Sequence, residues 1–344
     1  MGAQFSQFFP PRPTFTLSDV PSQHGKVIIV TGGASGIGRE LVCMLYEKGA
    51  TVYLAGRSES QTQATIHSIQ ANHAATTPNS PAGELHYLPL HLEDLTTIKS
   101  TVAAFAARES RLDLLVNNAG VSQPPPGSVS AQGIELQLAT NCLGPFLLTQ
   151  LLLPFLKAAA TISGSSEEGT TAPRVVWASS QVAELSAPPE GIVLAELRNP
   201  PLNQPVRNYV TSKLGNWFLS VEFARRYGGN DGAVGEGRRR RLVSVAQNPG
   251  AANTNLFRYA RWTRILSRPL LHSPQLAAHT VLYAACAEEL DRPEHNGAYI
   301  IPWGRIHPGV AAALACHLAP EDEGGTGRAR EFWEWCVERT RDYL

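Results

Sequence analysis

The chain has 344 residues, in which 29 Lys+Arg balance 29 Asp+Glu, with 43% hydrophobic and only 17% charged residues. So much apolar material excludes a disordered chain, and the zero net charge leaves no positive field to gather a polyanion, so no nucleic acid partner is expected. The five cysteines, Cys43, Cys142, Cys286, Cys316 and Cys336, contain no C-x-x-C pair; they imply neither a disulfide framework nor a metal site and suit a reducing, cytoplasmic compartment.

Met1-Gly2-Ala3-Gln4-Phe5-Ser6 fits the M-G-x-x-x-[ST] pattern for N-myristoylation of Gly2. No Cys or Lys follows within the first twenty residues to add a second anchor, so a single acyl chain would give only weak, reversible association with a membrane surface. Nothing here resembles a secretory signal peptide. Pro10, Pro11, Pro13 and Pro21 remove donors and fix φ, which predicts an extended arm over residues 1–25.

From Lys26 onward, short apolar runs alternate with helical patterns, the signature of βαβ units and a parallel sheet. Strands are predicted at 27–30, 51–54, 85–90, 112–116, 174–178, 242–246 and 298–301. Most are continuously apolar, as expected when helices cover both faces of the sheet. Helices are predicted at 36–48, 59–72, 94–109, 132–158, 206–227 and 274–289, the last opening on Ser273-Pro274 as N-cap and first helical residue. The most apolar stretch, 143–156, contains Thr149, Gln150 and Pro154 and is too short to span a bilayer. Segments 163–173, 187–207 and 253–271 interrupt the rhythm. The run Arg238-Arg239-Arg240-Arg241 reads as a solvated loop leading into a strand. Residues 26–303 are expected to form one domain, and 304–344 a C-terminal extension ending in an amphipathic helix over 331–344.

After the first strand comes Thr31-Gly32-Gly33-Ala34-Ser35-Gly36-Ile37-Gly38, opening a helix. Such a turn aims backbone N–H groups and the positive end of a helix dipole at a pyrophosphate. Gly32 allows the tight turn, Gly36 the approach of phosphate, and Gly38 close helix–strand packing. The sequence TGGASGIG resembles the TGxxxGIG turn of the short-chain dehydrogenase/reductase family, and Asn117-Asn118-Ala119-Gly120 resembles its NNAG motif. The resemblance covers about residues 24–303. It implies a single doubly wound Rossmann-type α/β domain with a seven-stranded parallel sheet and a bound NAD(H) or NADP(H).

Several assignments follow from that likeness. NAD-selective relatives place an acid at the end of the second strand, where Leu54-Ala55-Gly56-Arg57-Ser58 has Gly56 instead. Arg57 offers a planar fork for a 2′-phosphate, with Ser58 and Ser35 as further donors, so NADPH is expected over NAD. His91 stands where the family's adenine-contacting Asp falls, leaving adenine contact to the backbone at Leu92. Asn118, Ala119 and Gly120 would line the coenzyme, and Asn248-Pro249-Gly250 with Thr254 resembles the PGxxxT motif at the nicotinamide end.

Tyr209-Val210-Thr211-Ser212-Lys213 fits YxxxK, a spacing that puts both side chains on one helix face. With Asn141 and Ser180 they resemble the family's catalytic tetrad. A phenol near pKa ~10 needs a neighbouring ammonium to exchange protons at neutral pH. Lys213 would supply that charge and hold the nicotinamide ribose, Ser180 would bond the substrate oxygen, and Asn141 would hold a water. Ser179 competes with Ser180. The 29 residues from Ser180 to Tyr209 exceed the common spacing and resemble the retinol-dehydrogenase-like branch. The apolar residues of 253–271 suggest either a substrate lid for an apolar carbonyl or alcohol, or packing of that lid onto the body. The sequence reading is therefore an NADP(H)-dependent oxidoreductase, with a non-catalytic coenzyme-bound sensor or scaffold as the rival. Homo-oligomerisation stays open.

Overall fold

A computed structural model describes residues 2–77, 81–161, 171–229, 241–254 and 271–344. Seven parallel strands run in the order β3-β2-β1-β4-β5-β6-β7: β1 (Val27–Thr31), β2 (Thr51–Gly56), β3 (Glu84–Pro89), β4 (Leu114–Asn117), β5 (Arg174–Ala178), β6 (Val243–Gln247) and β7 (Tyr299–Ile301). An eighth, β8 (Arg305–Ile306), returns antiparallel to β7. The sheet therefore has eight strands rather than the expected seven. Gly304, with φ +78, lets the chain reverse at once, and a two-residue strand is too short to show as a periodic pattern.

The helices are α1 (Gly2–Phe8), α2 (Gly36–Glu47), α3 (Glu59–Thr76), α4 (Ile98–Ala106), α5 (Leu136–Ala160), α6 (Val182–Leu185), α7 (Leu194–Arg198), α8 (Pro205–Tyr227), α9 (Pro274–Cys286), α10 (Ala312–Leu318) and α11 (Arg328–Thr340). Every residue of β1 is buried, and its side chains alternate between two cores. Ile29 packs in the layer containing Phe146 and Trp217, whereas Ile28 and Val30 pack in the layer containing Leu41 and Val281. This is why the strands read as continuous apolar runs rather than alternating ones. By length and composition α5 could cross a membrane, but more than half of its apolar window is buried inside the protein.

Several expectations need correction. The first residues are not an extended arm: α1 occupies 2–8, because no proline stands before Pro10 to prevent a helix. The helix expected at 94–109 begins instead as a 3-10 turn capped by Asp94, whose side chain accepts from the Thr96 N–H, and becomes α-helical only at Ile98. The α5 helix starts at Leu136 rather than 132, since the Glu135 carboxylate accepts from Leu138 N–H at 2.8 Å and fixes the cap there. The terminal helix starts at Arg328 and packs its aromatic face against α8 in the main core, so it joins the domain body. At α9 the predicted cap holds, with Ser273 Oγ accepting from Leu276 N–H.

The chain turns from β1 to β2 on one side and reaches β4 on the other, leaving a crevice at the carboxyl ends of these strands. Residues 32–38, 118–120, 180 and 249–250 all emerge directly after strand ends on that edge.

Candidate active site

Gly32 and Gly36 have φ of +68 and +55, conformations that side chains rarely adopt. A Cβ on Gly38 would lie 2.5 Å from the Gly32 carbonyl oxygen, so the first turn of α2 can press against the loop only without one. Ser35 is the N-cap of α2, yet its hydroxyl makes no capping bond. The first-turn N–H groups lack helical partners by construction, and together with Ser35 Oγ they are free to meet an anion. Ile37 packs partly buried against Ala252, Ala277 and Trp303. These features fit a dinucleotide pyrophosphate.

The second motif closes the crevice floor. The N–H groups of Asn118 and Ala119 both donate to Thr31 Oγ1 at 2.9 Å, and Asn118 Nδ2 donates to the Thr31 carbonyl at 2.9 Å. The end of β4 is thereby tied to the end of β1. A Cβ on Gly120 would meet Asn141 Oδ1 at 3.0 Å and Lys213 Nζ at 3.6 Å, so the missing side chain admits both groups. Thr254 stands beside Gly36, its Cγ2 lying 3.3 Å from where a Cβ would be. After Pro249, Gly250 takes φ +79 and donates its N–H to Asn248 Oδ1 at 3.0 Å.

After β2, Arg57 is not a free fork. Its Nη1 lies 3.6 Å from Glu93 Oε1, and His91 Nδ1 lies 3.5 Å from the same oxygen. Ser58 caps α3, its hydroxyl accepting from Gln61 N–H at 3.2 Å. Leu92 is buried with its carbonyl against Gly144, where a Cβ would fall 2.4 Å away.

Tyr209 and Lys213 share one face of α8, with Nζ 5.6 Å from the centre of the phenol ring. The ammonium is buried and donates to the Ala178 carbonyl at 3.0 Å, at the end of β5. Burial pulls Lys213 down to about 8. Burial also pushes the Tyr209 phenol up to about 12, against the opposing effect of a hydrogen bond from Ser180. Of the serine doublet, Ser179 Oγ donates to the Lys213 carbonyl at 2.8 Å and is 3% exposed, while Ser180 is half-buried beside the phenol.

Asn141 lies in a π-helical turn, Ala139–Leu143, inside α5. Its Oδ1 accepts from Val121 N–H at 2.8 Å, while Nδ2 donates to the Val121 carbonyl at 3.0 Å and to Ser212 Oγ at 2.9 Å. The side chain is thus spent on anchoring the Gly120–Val121 segment. The expected lid falls largely on 255–270, and most of the arginine run on 238–240, outside the described residues.

Sequence reasoning missed a group of residues on the same edge. Glu184 and His307 form a buried pair at 3.2 Å, and Tyr299 Oη donates to the Ser180 carbonyl at 2.9 Å. No local spacing connects these positions, so no sequence pattern could have found them.

The short chain dehydrogenase family profile matches residues 26–183. The short-chain dehydrogenase/reductase iacJ of Pestalotiopsis fici is 44% identical over 99% of this chain and 98% of its own length. Among solved structures, an uncharacterized protein from Mycobacterium paratuberculosis aligns with a TM-score of 0.64 at 27% identity, covering 95% of this chain and 97% of that one. The Pseudomonas aeruginosa RhlG/NADP active-site complex aligns with a TM-score of 0.57 at 25% identity, covering 83% of this chain and 98% of that one.

Proposed function

The chain belongs to the short-chain dehydrogenase/reductase family, and on that premise we propose that it is an NADP(H)-dependent oxidoreductase interconverting an apolar alcohol with its ketone or aldehyde. The observation that carries this reading is the meeting of Tyr209, Ser180 and Lys213 at the end of β5, on the same sheet edge as the glycine turn. The coenzyme supplies the hydride donor or acceptor. Residues Gly32 to Gly38, Asn118 to Gly120 and Pro249 to Thr254 would hold it.

In the reducing direction, Tyr209 gives its phenolic proton to the substrate oxygen, and Ser180 Oγ–H donates a hydrogen bond to that oxygen and orients it. The Lys213 ammonium lowers the cost of leaving negative charge on the phenol. Both ends of the Asn141 side chain are engaged with Val121 and Ser212, and a proton-relay water would rest on its main-chain carbonyl within the π turn. The apolar character of the substrate rests on the sequence of 253–271, where Leu256, Phe257, Tyr259 and Trp262 supply apolar side chains. Oxidation of NADPH across a panel of ketones and aldehydes tests the reading. Coenzyme binding with no turnover of any carbonyl or alcohol would favour the scaffold instead.

A pH dependence follows from the buried lysine. On this reading the Lys213 ammonium favours the phenolate, and burial, which brings Lys213 down to about 8, removes that charge as pH rises through that value. The kcat for carbonyl reduction should therefore be steady below the transition and fall above it. In Lys213→Met the rate should be low throughout and this decline absent.

Coenzyme choice follows from Arg57. Its exposed pair with Glu93 contributes at most about 1 kcal/mol, whereas charge-assisted bonds to a phosphate contribute about 1.5–3 kcal/mol each. The phosphate wins. NADPH should bind roughly ten- to a hundredfold more tightly than NADH at low salt, since about 1.4 kcal/mol is a factor of ten. Gly56 has space for a side chain, with only Thr62 Oγ1 at 4.0 Å from a Cβ. The preference should collapse or reverse in Gly56→Asp/Arg57→Ile, and equal wild-type affinities measured by calorimetry would refute the role of Arg57.

A further inference from the structure

The α1 helix crosses the carboxyl edge of the sheet and is hydrogen-bonded to segments that follow three consecutive strands. After β5, Gln181 Nε2 donates to the Gln4 carbonyl at 3.2 Å, and Glu184 Oε2 accepts from Gln7 Nε2 at 2.8 Å. After β6, Asn248 Nδ2 donates to Gln7 Oε1 at 2.8 Å, and His272 Nε2 lies 3.2 Å from the Phe8 carbonyl. On β8, after β7, Arg305 Nη1 donates to Ser6 Oγ at 3.2 Å and Nη2 to the Ser6 carbonyl at 2.9 Å. The outward side of the helix carries Phe5, 67% exposed. Gln7, by contrast, is 1% exposed.

We infer that Gln7 is a positioning residue that locks the catalytic serine segment to the turn on the nicotinamide side of the site. Its amide uses both ends. The donor end holds Glu184, four residues beyond Ser180 and on the short α6 helix that Ser180 introduces. That segment is held again from below, where Tyr299 Oη donates to the Ser180 carbonyl and His307 Nε2 stands 3.2 Å from Glu184 Oε1. The acceptor end holds Asn248, whose own Oδ1 takes the Gly250 N–H and so shapes the Pro249–Gly250 turn. One amide therefore sets the spacing between the group that orients the substrate oxygen and the backbone that would flank the nicotinamide. An apolar residue at position 7 would strand the buried Asn248 amide and take from the Glu184 carboxylate one of its donors, leaving it to Gln4 and His307, and the loss at Asn248 costs more than the bond alone contributes.

This inference rests on the coenzyme reading above, and its test separates the two. Gln7→Met keeps length and volume but neither donor nor acceptor, while Gln7→Asn keeps the chemistry and is one methylene too short to span both partners. Binding to the full-length protein is measured by calorimetry with NADPH and with 2′-phospho-ADP-ribose, which carries the phosphates but no nicotinamide. Both variants are expected to bind NADPH about tenfold more weakly, the equivalent of about 1.4 kcal/mol, with unchanged affinity for 2′-phospho-ADP-ribose. Their kcat should fall while KM for the carbonyl stays near the wild-type value. Phe5→Ser, on the outward side of the same helix, should leave all of these unchanged. A general loosening of the fold would weaken both ligands alike, and that result, or wild-type affinities in both variants, would overturn the role of Gln7. Failure of the wild-type protein to bind either ligand would instead bring down the coenzyme reading, and this inference with it.

Discussion

Tyr209→Phe is expected to lower kcat by about 10²–10⁴-fold, the range in which positioned proton transfer contributes to a rate. The substitution removes one oxygen atom and keeps the ring that lies beside the Lys213 ammonium. Folding and coenzyme affinity should therefore be preserved. What is lost is the phenolic proton that lies beside the Ser180 hydroxyl. Ser179 cannot substitute, since its hydroxyl is committed to the Lys213 carbonyl. The measurement is single-turnover reduction at saturating NADPH, which isolates the chemical step from coenzyme release. A loss of less than about tenfold would show that the proton comes from elsewhere and would remove Tyr209 from the mechanism.

Phe332→Ala is expected to cost about 3–5 kcal/mol of folding stability, the range for deleting a fully buried aromatic ring. The ring is 1% exposed and stacks on Trp335 with centroids 5.6 Å apart. It also fills the space above Gly215, where a Cβ would lie only 2.5 Å from its Cζ and 3.1 Å from Cys142 Sγ. Those neighbours matter beyond stability, because Gly215 is two residues from Lys213 and Cys142 follows Asn141 directly. The cavity would open behind both functional helices. Denaturant titration followed by tryptophan fluorescence should show the midpoint shift, and a cost below about 1 kcal/mol would mean that α11 is dispensable to the core.

Much of the site was legible because its parts are local. Gly32, Gly36 and Gly38 lie within one turn, and Tyr209 and Lys213 are one helical turn apart, so spacing alone relates them. The strands were legible because both faces of each are apolar and the runs end at recognisable turns. Three features were hidden for a common reason: they depend on partners far away in the chain. The docking of α1 depends on Glu184 and Asn248, 177 and 241 residues from Gln7. The surroundings of Ser179 and Ser180 differ only once Ser179 meets the Lys213 carbonyl, 34 residues on. The ion pair of Arg57 with Glu93 forms because the loops after β2 and β3 emerge side by side, a consequence of strand order that composition cannot show.

The π turn at Ala139–Leu143 gives this helix an unusual vulnerability. There the Gly144 N–H reaches back five residues to the Ala139 carbonyl instead of four, so the turn stores one residue more than a regular helix needs. Losing that residue would let the helix anneal into an unbroken spiral, with Leu138 and Phe146 still able to bury their side chains on either side of the join. The backbone would gain regularity. Asn141, however, would be drawn into the spiral and away from Val121 and Ser212, releasing the Gly120–Val121 segment that it anchors. A one-residue deletion here could thus leave a well-folded protein with a disabled site, which makes the length of this segment, as well as its residue types, part of what the enzyme must preserve.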